Sequence, residues 1–121
     1  MRDFRKLNIW NSGVDLVKQI YNLTRDFPSS ELYGLTNQMR RASVSLPSNI
    51  AEGSSRKSNA DFARFLEITL GSSFELETQL ILSKELEYLK QEDFEKIIVK
   101  IQSFQKQLNS LLTKVRSEQG F

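Results

Sequence analysis

The sequence predicts an all-α fold, an antiparallel up-down-up-down four-helix bundle. Three observations carry the prediction. Apolar residues recur at helical spacing in four separate segments, short polar connections join the segments, and no run alternates apolar with polar residues as a half-buried strand would. The last segment is the plainest: Ile97, Ile101, Phe104, Leu108, Leu111 and Val115 step by four, three, four, three and four, the heptad of bundle packing.

The first helix is expected over residues 8–27, with Asn8 as its cap. Trp10, Val14, Val17 and Tyr21 form one apolar row, and Leu16, Ile20, Leu23 and Phe27 form a second beside it. Phe27-Pro28 should end it, because a residue before proline is pushed out of helical geometry. The second helix, 36–53, has Thr36 as N-cap, Met39, Ala42, Leu46 and Ile50 along one side, and Gly53 placed to close the last turn in a left-handed conformation. Pro47 lies inside it, which removes a backbone donor and predicts a bend. Around the proline stand Ser43, Ser45, Ser48, Asn49 and Ala51, small side chains that would let another helix come close.

The third helix, 58–88, starts at Ser58 with Asp61 three residues on, an acidic form of the capping box. Phe62, Leu66, Leu70, Phe74, Ile81 and Leu89 make one apolar flank, widened by Phe65, Ile68, Leu76, Leu80 and Leu86. Gly71-Ser72-Ser73 interrupts the bulky pattern, and since glycine inside a helix costs about 1 kcal/mol relative to alanine, close approach by a neighbouring helix is the expected compensation. The fourth helix spans 91–117. No internal repeat or low-complexity tract is present.

With 121 residues, 39% hydrophobic and 26% charged, the chain has the size and composition of one globular domain. It holds no run of about 18 apolar residues, so no membrane-spanning segment is expected, and no cysteine, so no disulfide framework. MRDFRKLN lacks the apolar centre of a signal peptide, and a cytoplasmic location is the expectation. Histidine is absent too, which excludes the Ser-His-Asp and Cys-His nucleophiles, the ordinary zinc sites and the Glu-x-x-His pairs of di-iron bundles. Glu75 and Glu77 stand about 200° apart around one helix and do not converge. Neither a phosphate-loop nor a dinucleotide glycine motif occurs. The expectation is a protein that is not an enzyme, with no cofactor and no metal.

YGLTNQMRRASVSLPSNIAEG, Tyr33 to Gly53, resembles the signature of the four-helix-bundle proteins first met as reading frames within intervening sequences of bacterial 23S ribosomal RNA genes. The likeness extends to FRKLNIWNSGVDLVKQIYNLTRDFP, Phe4 to Pro28, and to RKSNADFARFLEITLGSSFELETQL, Arg56 to Leu80, and so covers most of the chain. The resemblance implies a ring-like oligomer, five-fold in this family, and a relation to the accessory protein of diversity-generating retroelements, a basic ring that works with a reverse transcriptase and nucleic acid.

Formal net charge is +2, unevenly spread: residues 1–60 hold nine basic and five acidic groups, and 61–121 hold eight and ten. A pentamer would repeat any basic stripe five times. Arg56 and Lys57, in the loop between the second and third helices, are read first as anion-binding, with Arg64 beside them. Arg40 and Arg41, adjacent on the second helix and thus about 100° apart, are read first as structural partners of Glu52, Glu75 or Glu77, and second as phosphate ligands. Arg2, Arg5 and Lys6 form another basic cluster around Phe4, which serves equally as a solubilising lead-in. Trp10 and Tyr33 could stack on bases, though a core role is the simpler account of each. Ser43, Pro47, Ala51, Gly71 and Ser72 are the candidates for the subunit interface. Two function classes follow: an oligomeric adaptor that binds RNA or DNA through basic patches, or a protein-binding scaffold that touches no nucleic acid.

Overall fold

A computed structural model describes residues 2–118. A 3-10 turn at Phe4–Lys6 leads into α1 (Asn8–Thr24); a second turn at Ser29–Glu31 precedes α2 (Leu35–Ser54), followed by α3 (Asn59–Glu85) and α4 (Gln91–Ser117), with no strand among the described residues. Each helix packs on the next, α4 closes back on α1, and neither diagonal pair touches. Residue numbers run in opposite directions across each contact. Gly13 meets Pro47 while Thr24 meets Arg40; Gly53 meets Phe65 while Met39 meets Ser83; Glu67 meets Arg116 while Glu77 meets Gln105.

The buried seams explain why these segments are helices and where their apolar rows were misjudged. In α3 the innermost residues are Phe62, Leu66, Thr69, Ser73, Leu76, Leu80 and Ser83, an unbroken heptad in which three members are polar. Their hydroxyls donate to carbonyls of their own helix, Thr69 to Phe65 at 2.9 Å, Ser73 to Leu70 at 2.6 Å and Ser83 to Gln79 at 2.7 Å, so each is buried with its polar atom satisfied. Phe74 and Ile81, expected on the buried flank, are 50% and 42% exposed, because the seam passes through the serines beside them. In α1 the innermost row is Ile9, Gly13, Leu16 and Ile20, which leaves Trp10, Val14 and Val17 half-buried and Tyr21 exposed. In α4 the seam steps from Leu108 to Leu112 and Val115, not through Leu111, which is half-buried. A step of four there keeps pace with 3.6 residues per turn over a straight helix.

Several expected termini move. α1 stops at Thr24, three residues before Phe27, which is nevertheless buried and stacks on Tyr88 with ring centroids 5.7 Å apart. α3 stops at Glu85, and Glu87 takes a positive φ of 65° in the turn that follows. Ser58 caps α3 as expected, its hydroxyl accepting from the Asp61 amide at 3.1 Å. Thr36 does not cap α2: the Glu31 carboxylate accepts from the Leu35 amide at 3.0 Å, and Thr36 is buried inside the helix with its hydroxyl unpartnered. Asn8 is the first residue of α1 and not its cap. Gly53 lies within α2, which continues to Ser54; it is glycine because a Cβ would come 2.5 Å from Phe65 Cβ on α3.

Candidate nucleic-acid interface

The start of α1, the end of α2, the start of α3 and the end of α4 meet at one end of the bundle, and this joins basic clusters that are far apart in the sequence. Asp3 caps the first 3-10 turn by accepting from the Arg5 amide at 3.1 Å, and Asn11 of α1 donates to the Arg5 carbonyl at 3.2 Å, which holds the lead-in on the bundle. From there Arg2 donates to the Arg56 carbonyl at 3.1 Å and to Asn59 Oδ1, with its guanidinium 4.3 Å from the centre of the Phe62 ring. Arg2 is therefore a half-buried tie between the N-terminal segment and the α2–α3 loop.

Arg56 pairs with Glu52 one turn back at 3.1 Å and lies 4.8 Å from the Phe65 ring centre. Both residues of that ion pair are exposed, so it leaves Arg56 accessible and adds little stability. Arg56, Asp61, Arg64, Phe65 and Ile68 line a shallow depression of about 350 Å³. Arg5 pairs with Asp3 at 3.3 Å and covers Phe4 at 4.5 Å. Lys6, Lys57 and Arg64 are exposed and make no ion pair among the described residues.

Side-chain charge follows the bundle's ends and not the sequence's halves. At this end Arg2, Arg5, Lys6, Arg56, Lys57, Arg64, Lys114 and Arg116 face Asp3, Glu52, Asp61, Glu67 and Glu118, a balance of +3. At the far end Arg25, Arg40, Arg41, Lys84, Lys90 and Lys96 face Asp26, Glu31, Glu85, Glu87, Glu92, Asp93 and Glu95, a balance of −1.

The structure separates Arg40 from Arg41. Arg40 is half-buried, donates from Nε to Thr24 Oγ1 at 2.9 Å and covers Tyr21 at 4.7 Å, so it ties α2 to α1. Neither arginine pairs with the acidic residues expected for it. Glu52 takes Arg56, Glu77 accepts from Gln105 at 2.8 Å, and Arg41 stays exposed with no ion pair among the described residues. Tyr33, for which a core contact was the simpler expectation, is 90% exposed, whereas Trp10 packs on Phe4 at 5.2 Å.

The interface candidates divide in the same way. Ser43 is fully buried within the chain and donates to the Arg40 carbonyl at 2.8 Å, so no other subunit can reach it. Pro47 packs on Gly13 of α1, where an added Cβ would stand 3.3 Å from the proline nitrogen, and Ala51 lines a depression with Arg2 and Phe4. Pro47 therefore serves α1 and Ala51 the lead-in, while Ser45 lines the groove towards α3. Gly71 is exposed with nothing within 4 Å of the place its Cβ would occupy, so no helix of the same chain approaches it; Ser72 is half-buried at the α2–α3 groove.

Two of the remaining groups bear on chemistry. Tyr88 donates to Glu31 Oε2 at 3.2 Å, and that hydrogen bond, with burial and the carboxylate's charge, raises its phenol above the ordinary 10. No three acidic side chains gather to hold a metal ion among the described residues, and none of the described helices is long and apolar enough to cross a membrane.

A search among curated proteins found no match. The structure is similar to the crystal structure of a protein of unknown function from the S23 ribosomal protein family of Bacteroides thetaiotaomicron, with a TM-score of 0.80 and 26% identity over 87% of this chain and 95% of that one. The model of the 23S rRNA-intervening sequence proteins matches residues 5–110, nearly the whole of the four-helix arrangement and the basic residues of its charged end from Arg5 to Arg64, with Arg2, Lys114 and Arg116 outside the match. On that match the chain belongs to the family of 23S rRNA-intervening sequence proteins.

Proposed function

We propose that the protein is a non-enzymatic, cytoplasmic adaptor that binds RNA or DNA through the basic end of the bundle. The observation that supports this reading is the union of Arg2, Arg5 and Lys6 with Arg56, Lys57 and Arg64 at one end, which gives that end a side-chain balance of +3 against −1 at the far end. Phosphate binding needs several cations presented together, and a dipolar bundle orients an approaching polyanion before contact. The opposed numbering across every helix contact supports an antiparallel up-down-up-down topology, which gathers those termini.

Homo-oligomerisation is part of the proposal. Beyond Gly71 on the outer side of α3, Phe74, Ile81 and Leu82 are 50%, 42% and 47% exposed, an apolar face with a small residue at its start. A five-fold ring, as the family resemblance implies, would set five basic ends side by side. That same apolar face supports the competing reading, a scaffold that holds another polypeptide and touches no nucleic acid.

The two are separated by changing Arg56 and Lys57 together to glutamate. Both residues are exposed and outside the seams, so the fold stays intact, while the side-chain balance of the end passes from +3 to −1. Fluorescence anisotropy on single-stranded RNA and duplex DNA at low salt should show most of the binding lost. Unaltered affinity in that variant assigns the binding elsewhere; absence of binding by the unmutated protein leaves the scaffold.

A further inference from the structure

The groove between α2 and α3 has a floor that the fold leaves unfinished. Gln79 is only 7% exposed and lines the groove; its Nε2 donates to no other described residue, while its Oε1 is sealed inside without a partner. A terminal amide carries two donors and an acceptor and can turn to present either end, so Gln79 has capacity unspent by the bundle. Around it the groove, about 510 Å³, is walled by Tyr33, Asn37, Arg41, Ser72 and Glu75. Tyr33 is 90% exposed, and neither Arg41 nor Glu75 makes an ion pair among the described residues. The groove thus offers an aromatic face, a forked cation, a carboxylate and a buried amide, all without partners inside the chain.

We propose that this groove takes an unpaired guanine from a single strand held at the basic end, an inference that rests on the nucleic-acid reading above. Glu75 and Gln79 lie one turn apart in a single row of α3, about 6 Å along the axis. Guanine places O6, N1–H and N2–H₂ in sequence along one edge. The Gln79 amide donates to O6, while the two oxygens of Glu75 accept from N1–H and N2–H₂. The other bases fit less well: uracil has one N–H between two carbonyls, and adenine and cytosine each set a ring acceptor against the carboxylate. Tyr33 stacks on the base, as exposed aromatics do in single-strand readers, and the Arg41 fork meets a flanking phosphate. Arg64 is about 16 Å along the α3 axis from Glu75, a span that one strand covers in a few nucleotides.

The test uses the full chain and four labelled dodecaribonucleotides: twelve uridines, and the same strand with one central guanosine, adenosine or cytidine. The single guanosine should tighten binding about tenfold over oligouridine, the worth of one good bidentate base contact, and the other two should not. Glu75→Gln and Gln79→Met should erase that preference while leaving oligouridine affinity, melting temperature and the mass of the assembly unchanged. The Arg56, Lys57 double variant should weaken all four strands alike and keep the guanosine advantage. Equal affinity for the four strands, with binding still salt-dependent, overturns the groove assignment and leaves the adaptor reading standing. No binding of any strand at low salt overturns both. A changed assembly mass in Gln79→Met means that a second copy fills the groove, and the assignment is wrong.

Discussion

Replacing Gly53 by alanine tests the packing that brings the basic end together. The added Cβ would stand 2.5 Å from Phe65 Cβ and 3.2 Å from both Phe62 Cδ1 and Phe65 Cγ. Carbon atoms rest comfortably at about 3.5–4.0 Å, so α2 and α3 must part by about 1 Å. No rotamer change avoids this, because Phe65 Cβ is fixed to the α3 backbone. Overpacking of this kind costs about 1–3 kcal/mol, and a contact bound to the backbone falls in the upper part of that range. Alanine returns about 1 kcal/mol of helix propensity. The net loss is about 1–2 kcal/mol, which in a chain of this size lowers Tm by roughly 4–10 °C. Gly71→Ala is the control, since its Cβ meets nothing within 4 Å in the same chain and no packing inside the bundle opposes the propensity gain. Thermal melts followed by circular dichroism, at one protomer concentration, decide between the two. A Gly53→Ala protein that melts at or above the unmutated temperature refutes the close approach of α2 to α3.

Three further outcomes follow from named contacts. Gly71→Leu should lower the mass measured by light scattering at micromolar concentration, because its side chain intrudes on the apolar face of Phe74, Ile81 and Leu82; an unchanged mass places the subunit contact elsewhere. Arg40→Glu should lose about 1–3 kcal/mol by breaking the Thr24 hydrogen bond and the Tyr21 contact, whereas Arg41→Glu should melt within a degree or two of the unmutated protein; equal losses in denaturant titrations contradict the separation of the pair. Tyr88 has a raised pKa in the folded state, so the neutral phenol stabilises fully below pH 10 and that contribution is lost as pH rises through the raised value. The unmutated protein should therefore melt above Tyr88→Phe at pH 8, and the gap should close above pH 10; a gap that stays constant contradicts the hydrogen bond to Glu31.

The four helices were legible because apolar spacing survives at Met39, Leu46 and Ile50 in α2 and along α4 from Ile97 to Leu108. The seam of α3 was not, because Thr69, Ser73 and Ser83 occupy buried heptad positions and satisfy their hydroxyls on their own helix. An apolar pattern search passes over such residues and selects Phe74 and Ile81 instead, which lie at the seam's edge. The close approach at Pro47 was read without its partner for a related reason: small size signals such an approach but does not say by which helix, and here Gly13 of α1 supplies it.

For the candidate site, the residue types were readable and their grouping was not. Arg2 reaches the Arg56 carbonyl across 54 positions of sequence, a closure that the return of α2 along α1 provides. Counting charge by halves of the chain drew the boundary in the wrong place, since α3 and α4 each run from one end of the bundle to the other. Tyr33 offered one usable sign: an aromatic beside Gly34, at a helix entry, with no apolar row to join. Gln79 offered none, because its missing partner is a property of packing.

The salt dependence of binding by the unmutated protein tests the central claim most directly. Neutralised phosphates release counterions, so a plot of log affinity against log salt on single-stranded RNA should fall linearly, by about 0.7 per phosphate contact. If Arg56 and Lys57 each hold one phosphate, the double glutamate variant should lose about 1.4 from that slope per subunit engaged. A flat plot, or a steep one that the double variant leaves unchanged, contradicts a nucleic-acid interface at the basic end of this bundle.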